Sequence, residues 1–145
     1  MFRFLVTFCV GFVPTWSTSA ENLQGPISAE VLRIVDGDTI KVKAMIWVDQ
    51  TVEVSVRLRG IDAPELYRPK CSNEKALARD AKAAVIASSP VGSRVTLSDI
   101  KRDKYGGRVI ASVQTSDGEG LSERLLAQGQ AIVYGARKPW CGAKN

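Results

Sequence analysis

From Thr51 to Arg59 the chain alternates strictly. Val52, Val54, Val56 and Leu58 form one set, and Thr51, Glu53, Ser55, Arg57 and Arg59 the other. A period of two belongs to a strand with one buried face, so Arg57 projects away from the core. Looser versions of the pattern lie upstream. Val31 to Val35 is apolar and β-branched, Thr39 to Lys43 alternates, and Met45 to Val48 continues apolar. Asp36-Gly37-Asp38 and Asp49-Gln50 read as the turns between them. Downstream, Arg94 to Ile100 predicts a fourth strand with Val95 and Leu97 inward, and Val109 to Gln114 predicts a fifth. A charged, glycine-containing loop, Lys101 to Gly107, separates the two.

The period changes after Ala63-Pro64. Leu77, Ala81, Ala84 and Val85 share one face at helical spacing, predicting a helix over Asn73 to Ser88. Ser72 is the expected N-cap, and Glu74 falls in the first turn, where the helix dipole favours it. Pro90-Val91-Gly92 ends it. A short helix over Leu121 to Gln128 follows the Asp117-Gly118 turn and closes on Gly129 as its C′ residue. Residues 21–29 read as a flexible lead-in and Gly135 to Asn145 as an irregular tail. No repeat or low-complexity tract is present. Three strands, a helix, two strands and a final helix predict an α+β fold: a five-stranded OB-type Greek-key β-barrel with two attached helices, spanning residues 30–135.

The first twenty residues break the pattern. Met1-Phe2-Arg3 carries one positive charge, Phe4 to Val13 is apolar apart from Thr7 and Gly11, and Thr18-Ser19-Ala20 offers small residues before Glu21. That order is a secretory signal peptide, expected over residues 1–20. The apolar run is too short for a bilayer core that needs about twenty residues. The expectation is therefore a protein exported to the periplasm or the medium, a monomer, with no stable membrane association after cleavage.

Composition narrows the chemistry. The formal net charge is +5 with no histidine. Removing the leader takes away one positive charge, and the remaining surplus suits a polyanionic partner such as nucleic acid. Without histidine, Ser-His-Asp hydrolases, histidine zinc sites and nucleases with a histidine base are all excluded. Cleavage would leave two cysteines, Cys71 and Cys141, which in an oxidising compartment read as a disulfide holding the tail, residues 136–145. Two unpaired thiols are the alternative.

Asp36-Gly37-Asp38-Thr39 alone is a tight turn, and Asp62-Ala63-Pro64-Glu65 alone a strand end stiffened by proline. Arg57 alone reads as a solvated strand residue, Arg108 as a partner of Asp103, and Glu65 as a partner of Arg68. Combination changes this. If the strands carrying Asp38 and Asp62 are neighbours, their carboxylates converge at one end of the barrel. With a backbone carbonyl and waters they suit a hard cation such as Ca²⁺. Nothing in the chain suits a softer metal.

Three segments resemble the signatures of the staphylococcal nuclease (thermonuclease) family, in the same order. They are Val35-Asp36-Gly37-Asp38-Thr39-Ile40, Arg57-Leu58-Arg59-Gly60-Ile61-Asp62-Ala63-Pro64-Glu65, and Asp103-Lys104-Tyr105-Gly106-Gly107-Arg108. The third has one glycine more than the commonest family form, and Ala63 stands where a threonine is common. The resemblance implies a calcium-dependent nuclease that cleaves DNA and RNA, preferably single-stranded or exposed, and leaves 3′-phosphate ends. It implies Asp38 and Asp62 as Ca²⁺ ligands, with the Ala63 carbonyl, and Asp36 behind them. Glu65 would orient or deprotonate the attacking water. Arg57 and Arg108 would bind the phosphate and stabilise its transition state. Lys104, Tyr105 and Tyr134 are candidate contacts to the nucleotide. The rival readings are an OB-fold module that holds nucleic acid without cutting it, and an exported interaction domain whose acidic loop only binds calcium.

Overall fold

The alternating segments form strands. In the computed structural model, which describes residues 22–142, β1 is Asn22–Leu23, β2 Ile27–Ile34, β3 Thr39–Trp47, β4 Gln50–Leu58 and β5 Ile61–Asp62. After helix α1 (Ser72–Ser88) come β6 (Arg94–Arg102), β7 (Arg108–Thr115), helix α2 (Leu121–Ala127) and β8 (Ile132–Val133). The expected leader, residues 1–20, lies outside the described residues. Strands run in the order β6-β2-β3-β4-β7, and β6 pairs again with β7, which closes a five-stranded barrel. The β4–β7 contact is parallel and the other barrel pairings are antiparallel.

The barrel interior is filled by the inward set of each strand. Val31, Ile40, Val42, Val56, Leu58, Leu97 and Val113 are buried, and Leu121 and Leu125 of α2 join them. Burial of each leucine contributes about 2 kcal/mol. The inward face of β4 does not extend to its start. Val52 is exposed and Val54 half-buried, because the β3–β4 hairpin runs past the barrel wall, leaving Met45 to Val48 exposed with it.

Three local expectations need correction. The lead-in expected over residues 21–29 is, where the structure describes it from Asn22 onward, not a free segment. Asn22 and Leu23 pair with Lys101 and Ile100, and Ile27 to Ala29 pair with Leu97 to Val95. Backbone groups alone make these pairings, so a polar sequence conceals them. The N-cap of α1 is Cys71 rather than Ser72, its sulfur accepting from the Glu74 backbone N–H at 3.4 Å. The predicted helical face is also rotated slightly: Glu74, Ala78, Ala81 and Val85 are buried, while Leu77 and Ala84 are half-buried. At the end of α2, Gly129 and Gln130 donate to Leu126 and Leu125 carbonyls, the double bond pattern that places Gly129 at C′.

Two features lie outside the barrel wall. β5 and β8 form a ribbon, Ile61 opposite Val133 and Asp62 opposite Ile132. Cys71 and Cys141 form a disulfide across a sequence separation of 70 residues, and the adjacent Trp140 is buried.

Candidate active site

Register brings the acidic turns together. Thr39 pairs with Arg57 at the end of the β3–β4 ladder, and the Leu58 N–H donates to the Asp38 carbonyl at 2.8 Å. The chain then turns at Gly60, whose φ of +81° is a left-handed conformation that side chains disfavour, and re-enters as β5. Asp38 therefore precedes one strand while Asp62 follows its neighbour, and both reach the same barrel end. Gly37 is required there by space. A Cβ on it would lie 2.7 Å from the Ala81 methyl and 2.8 Å from the Ala63 methyl. Helix α1 and the Asp62–Glu65 segment thus press directly on the turn that carries Asp36 and Asp38.

Arg57 joins the two carboxylates. Its Nη1 lies 2.9 Å from Asp38 Oδ2, and its Nη2 lies 2.5 Å from Asp62 Oδ1 while also donating to the Ile61 carbonyl at 3.2 Å. Burial pulls the guanidinium pKa down, but Asp38 and Asp62 outweigh it and hold the pKa above its ordinary value. Both carboxylates accept further hydrogen bonds. Asp38 accepts from the Thr39 hydroxyl at 2.9 Å and the Ala63 N–H at 3.2 Å, and Asp62 accepts from the Gly135 N–H at 3.4 Å.

The surrounding charge is negative. Asp36 accepts from the Asp38 N–H at 3.0 Å, and its pKa is pushed up to about 6, first by burial, then by the neighbouring charge of Asp38 and of Glu65. Asp36, Asp38 and Asp62 thus lie at one barrel end, and Arg57 pairs with the last two. Among the described residues no three His, Cys, Asp or Glu side chains converge at ligand spacing. A cation here would draw on two carboxylates, with backbone carbonyl and water completing its shell. The all-oxygen donor set is of the kind that suits a hard divalent ion. Asp38 and Asp62 would hold it with the Ala63 backbone, whose N–H already meets Asp38.

Arg108 stands on the same outer face. It opens β7 opposite Ser55, two residues before Arg57 on β4. Its Nε pairs with Asp103, a buried carboxylate that also receives the Lys104 N–H at 2.7 Å. Burial raises the Asp103 pKa, but hydrogen bonds from Arg108 and Lys104, with the charges of Arg108 and Arg57, bring it below the ordinary value. One carboxylate therefore feels both arginines, despite the extra glycine in the loop. Exposed tyrosines flank the pair: Arg57 lies 5.8 Å from the Tyr134 ring centre, and Arg108 and Lys104 each lie 5.0 Å from that of Tyr105. Asp38, Arg57 and Asp62 meet directly at this barrel end with Asp36 beside them, whereas Glu65 is exposed on the loop after Pro64, its carboxylate accepting from the Tyr67 N–H at 3.3 Å.

The sequence profile of the family described as staphylococcal nuclease homologue matches residues 55–145. The chain belongs to that family. No curated protein matches it significantly. As a staphylococcal nuclease homologue it has a nuclease-type OB fold, consistent with nucleic-acid binding. The matched span contains Arg57, Asp62, Glu65 and Arg108, and the β3–β4 register adds Asp36 and Asp38 to them. Sequence reasoning missed several supports in this homologue. Lys82 Nζ and the Tyr67 hydroxyl each donate to the Val35 carbonyl at 3.1 Å, fixing the acidic turn from the helix and from the Glu65 loop. Neither residue carries a local signal for this, since both contacts span more than thirty positions.

Proposed function

We propose that the protein is an exported, calcium-dependent nuclease that hydrolyses phosphodiester bonds of DNA and RNA and leaves 3′-phosphate ends. The observation that carries this reading is the bridging of Asp38 and Asp62 by Arg57, with Arg108 on the same face. Attack on a phosphodiester builds negative charge on the non-bridging oxygens. Two guanidinium groups at one barrel end answer that charge, Arg57 exchanging its contacts to Asp38 and Asp62 for the phosphate as those carboxylates turn to the cation. Arginine suits the task because its planar fork pairs with two oxygens at once. Glu65 stands on the loop beside Asp36 and takes the role of positioning the attacking water or accepting its proton. Ca²⁺, held by Asp38, Asp62 and the Ala63 carbonyl, would supply further positive charge beside the phosphate. Tyr105 and Tyr134 offer exposed rings for bases of a single strand, and Lys104 a cation for its backbone.

Export rests on the charge, apolar run and small residues of positions 1–20; sequencing the N-terminus of the protein recovered from outside the cytoplasm should start near Glu21. Activity is tested by incubating the mature protein with denatured DNA and with RNA. Both should be degraded in Ca²⁺ and spared in excess chelator. Undiminished cleavage in chelator would remove the metal from the account. Oligonucleotide binding in Ca²⁺ without cleavage would favour the non-catalytic module.

A further inference from the structure

Glu74 is a carboxylate in a place where carboxylates are rare. It is 3% exposed, and among the described residues no lysine or arginine pairs with it. Burial of such a group requires compensating hydrogen bonds. It sits at the third residue of α1, where the helix dipole favours negative charge. A glutamate at this position commonly folds back onto the N-cap backbone. Glu74 reaches further: Oε2 accepts from the Lys70 N–H at 2.6 Å, and Oε1 accepts from the Glu65 N–H at 3.3 Å. The two amides mark the two ends of the loop between Pro64 and Cys71.

That loop carries Glu65. On its N-terminal side Pro64 is buried, which fixes the approach of the chain. On its C-terminal side Cys71 caps α1 and is joined to Cys141. The tail is held there a second time, by the Asn73 side-chain amide donating to the Trp140 carbonyl at 2.7 Å. Glu74 therefore links the disulfide-anchored start of a rigid helix to the backbone of one residue in the acidic cluster. Among the described residues its carboxylate makes no hydrogen bond to another member of that cluster.

We infer that Glu74 is a positioning residue that holds the Glu65 backbone, and so the Glu65 carboxylate, against the Asp36–Asp38 turn. This rests on the reading of Glu65 as the water-orienting group. Misplacement of such a group by about 1 Å can cost up to about 10²-fold in rate. Substitution Glu74→Gln preserves shape but presents an N–H₂ where one of the two amides must be accepted.

The test measures cleavage of a single-stranded oligonucleotide by the mature protein in Ca²⁺, for wild type, Glu74→Gln, Glu65→Gln and the double variant. Glu74→Gln should lower kcat roughly 10- to 100-fold with KM and the Ca²⁺ midpoint within about threefold. In the Glu65→Gln background the same change should alter the rate by less than about twofold, because the two act as a unit. A wild-type rate for Glu74→Gln beside an impaired Glu65→Gln would overturn the inference. So would an equal loss in both backgrounds, the mark of a general structural role. A wild-type rate for Glu65→Gln itself would instead overturn the reading beneath it, and this inference with it. Amide hydrogen exchange provides a check that needs no variant. The Glu65 and Lys70 amides should be protected in the wild-type protein; free exchange at both would contradict the geometry.

Discussion

Arg57 is committed in two directions at once. Its side-chain alternation put it on the outer face of a strand, and so far a solvated arginine would serve. What alternation does not carry is the partner on each Nη, Asp38 on one side and Asp62 on the other. Those depend on the register with Thr39 and on the turn at Gly60. Lysine has the charge but not the fork, so Arg57→Lys should lower kcat by roughly 10²-fold while leaving the fold intact, read from steady-state cleavage and far-UV circular dichroism. A rate within twofold of wild type would remove the bridging guanidinium from the mechanism. Asp36 makes a second prediction at this scale. Its raised pKa means that the folded, metal-free protein holds a proton that the unfolded chain releases between about pH 4 and 6. This group therefore adds stability as pH falls through about 6, and its contribution is lost as pH rises to 7. Allowing for its partial exposure, the effect is on the order of 1 kcal/mol. Asp36→Asn should raise the metal-free Tm at pH 8 and flatten its pH dependence. Saturating Ca²⁺ should shrink the difference between the two proteins, because the ion offsets the same repulsion.

Elements were legible in proportion to how far their pattern is set by burial on one side. β4 announces itself because Val56 and Leu58 face a closed barrel, and the C′ position of α2 because only a residue such as Gly129 readily adopts that conformation. β1 was not legible, because its pairing with β6 uses backbone groups that any sequence possesses. The cap at Cys71 was hidden because its sulfur accepts only weakly, and a better capping residue stands next to it in Ser72. The site shows the same division. The aspartates and arginines stood out as residue types in known order, whereas Gly37 looked like any turn glycine. Its close approach to Ala63 and Ala81 is a matter of how helix, loop and turn pack. Gly37→Ala should thus cost roughly 1–3 kcal/mol in chemical denaturation and lower activity beyond that, because it displaces the Asp38 and Asp62 segments together. A stable variant with wild-type cleavage would show that the packing there is not what aligns the carboxylates.

At the scale of the whole molecule, the disulfide ties the last described residues to the start of α1, next to the loop that carries Glu65. Closing a loop of 70 residues contributes about 4 kcal/mol in the chain-entropy view. The Cys71→Ser/Cys141→Ser protein should unfold at least about 10 °C lower than wild type, measured by calorimetry under non-reducing conditions. An unchanged Tm would mean that Trp140 and Asn73 hold the tail without it. The composition of the whole chain imposes the remaining limit. With no histidine, carboxylates, arginines, lysines, tyrosines and an oxygen-liganded metal are the groups left to carry the proposed phosphodiester hydrolysis. The most direct test is single-turnover cleavage of an end-labelled single-stranded DNA by wild type and Glu65→Gln across a Ca²⁺ titration. The account predicts a wild-type rate that rises with Ca²⁺ from a negligible baseline, products ending in 3′-phosphate, and a rate at least about 10²-fold lower for Glu65→Gln at saturation. Equal rates for the two proteins, or strand binding with no cleavage at any Ca²⁺ concentration, would contradict it.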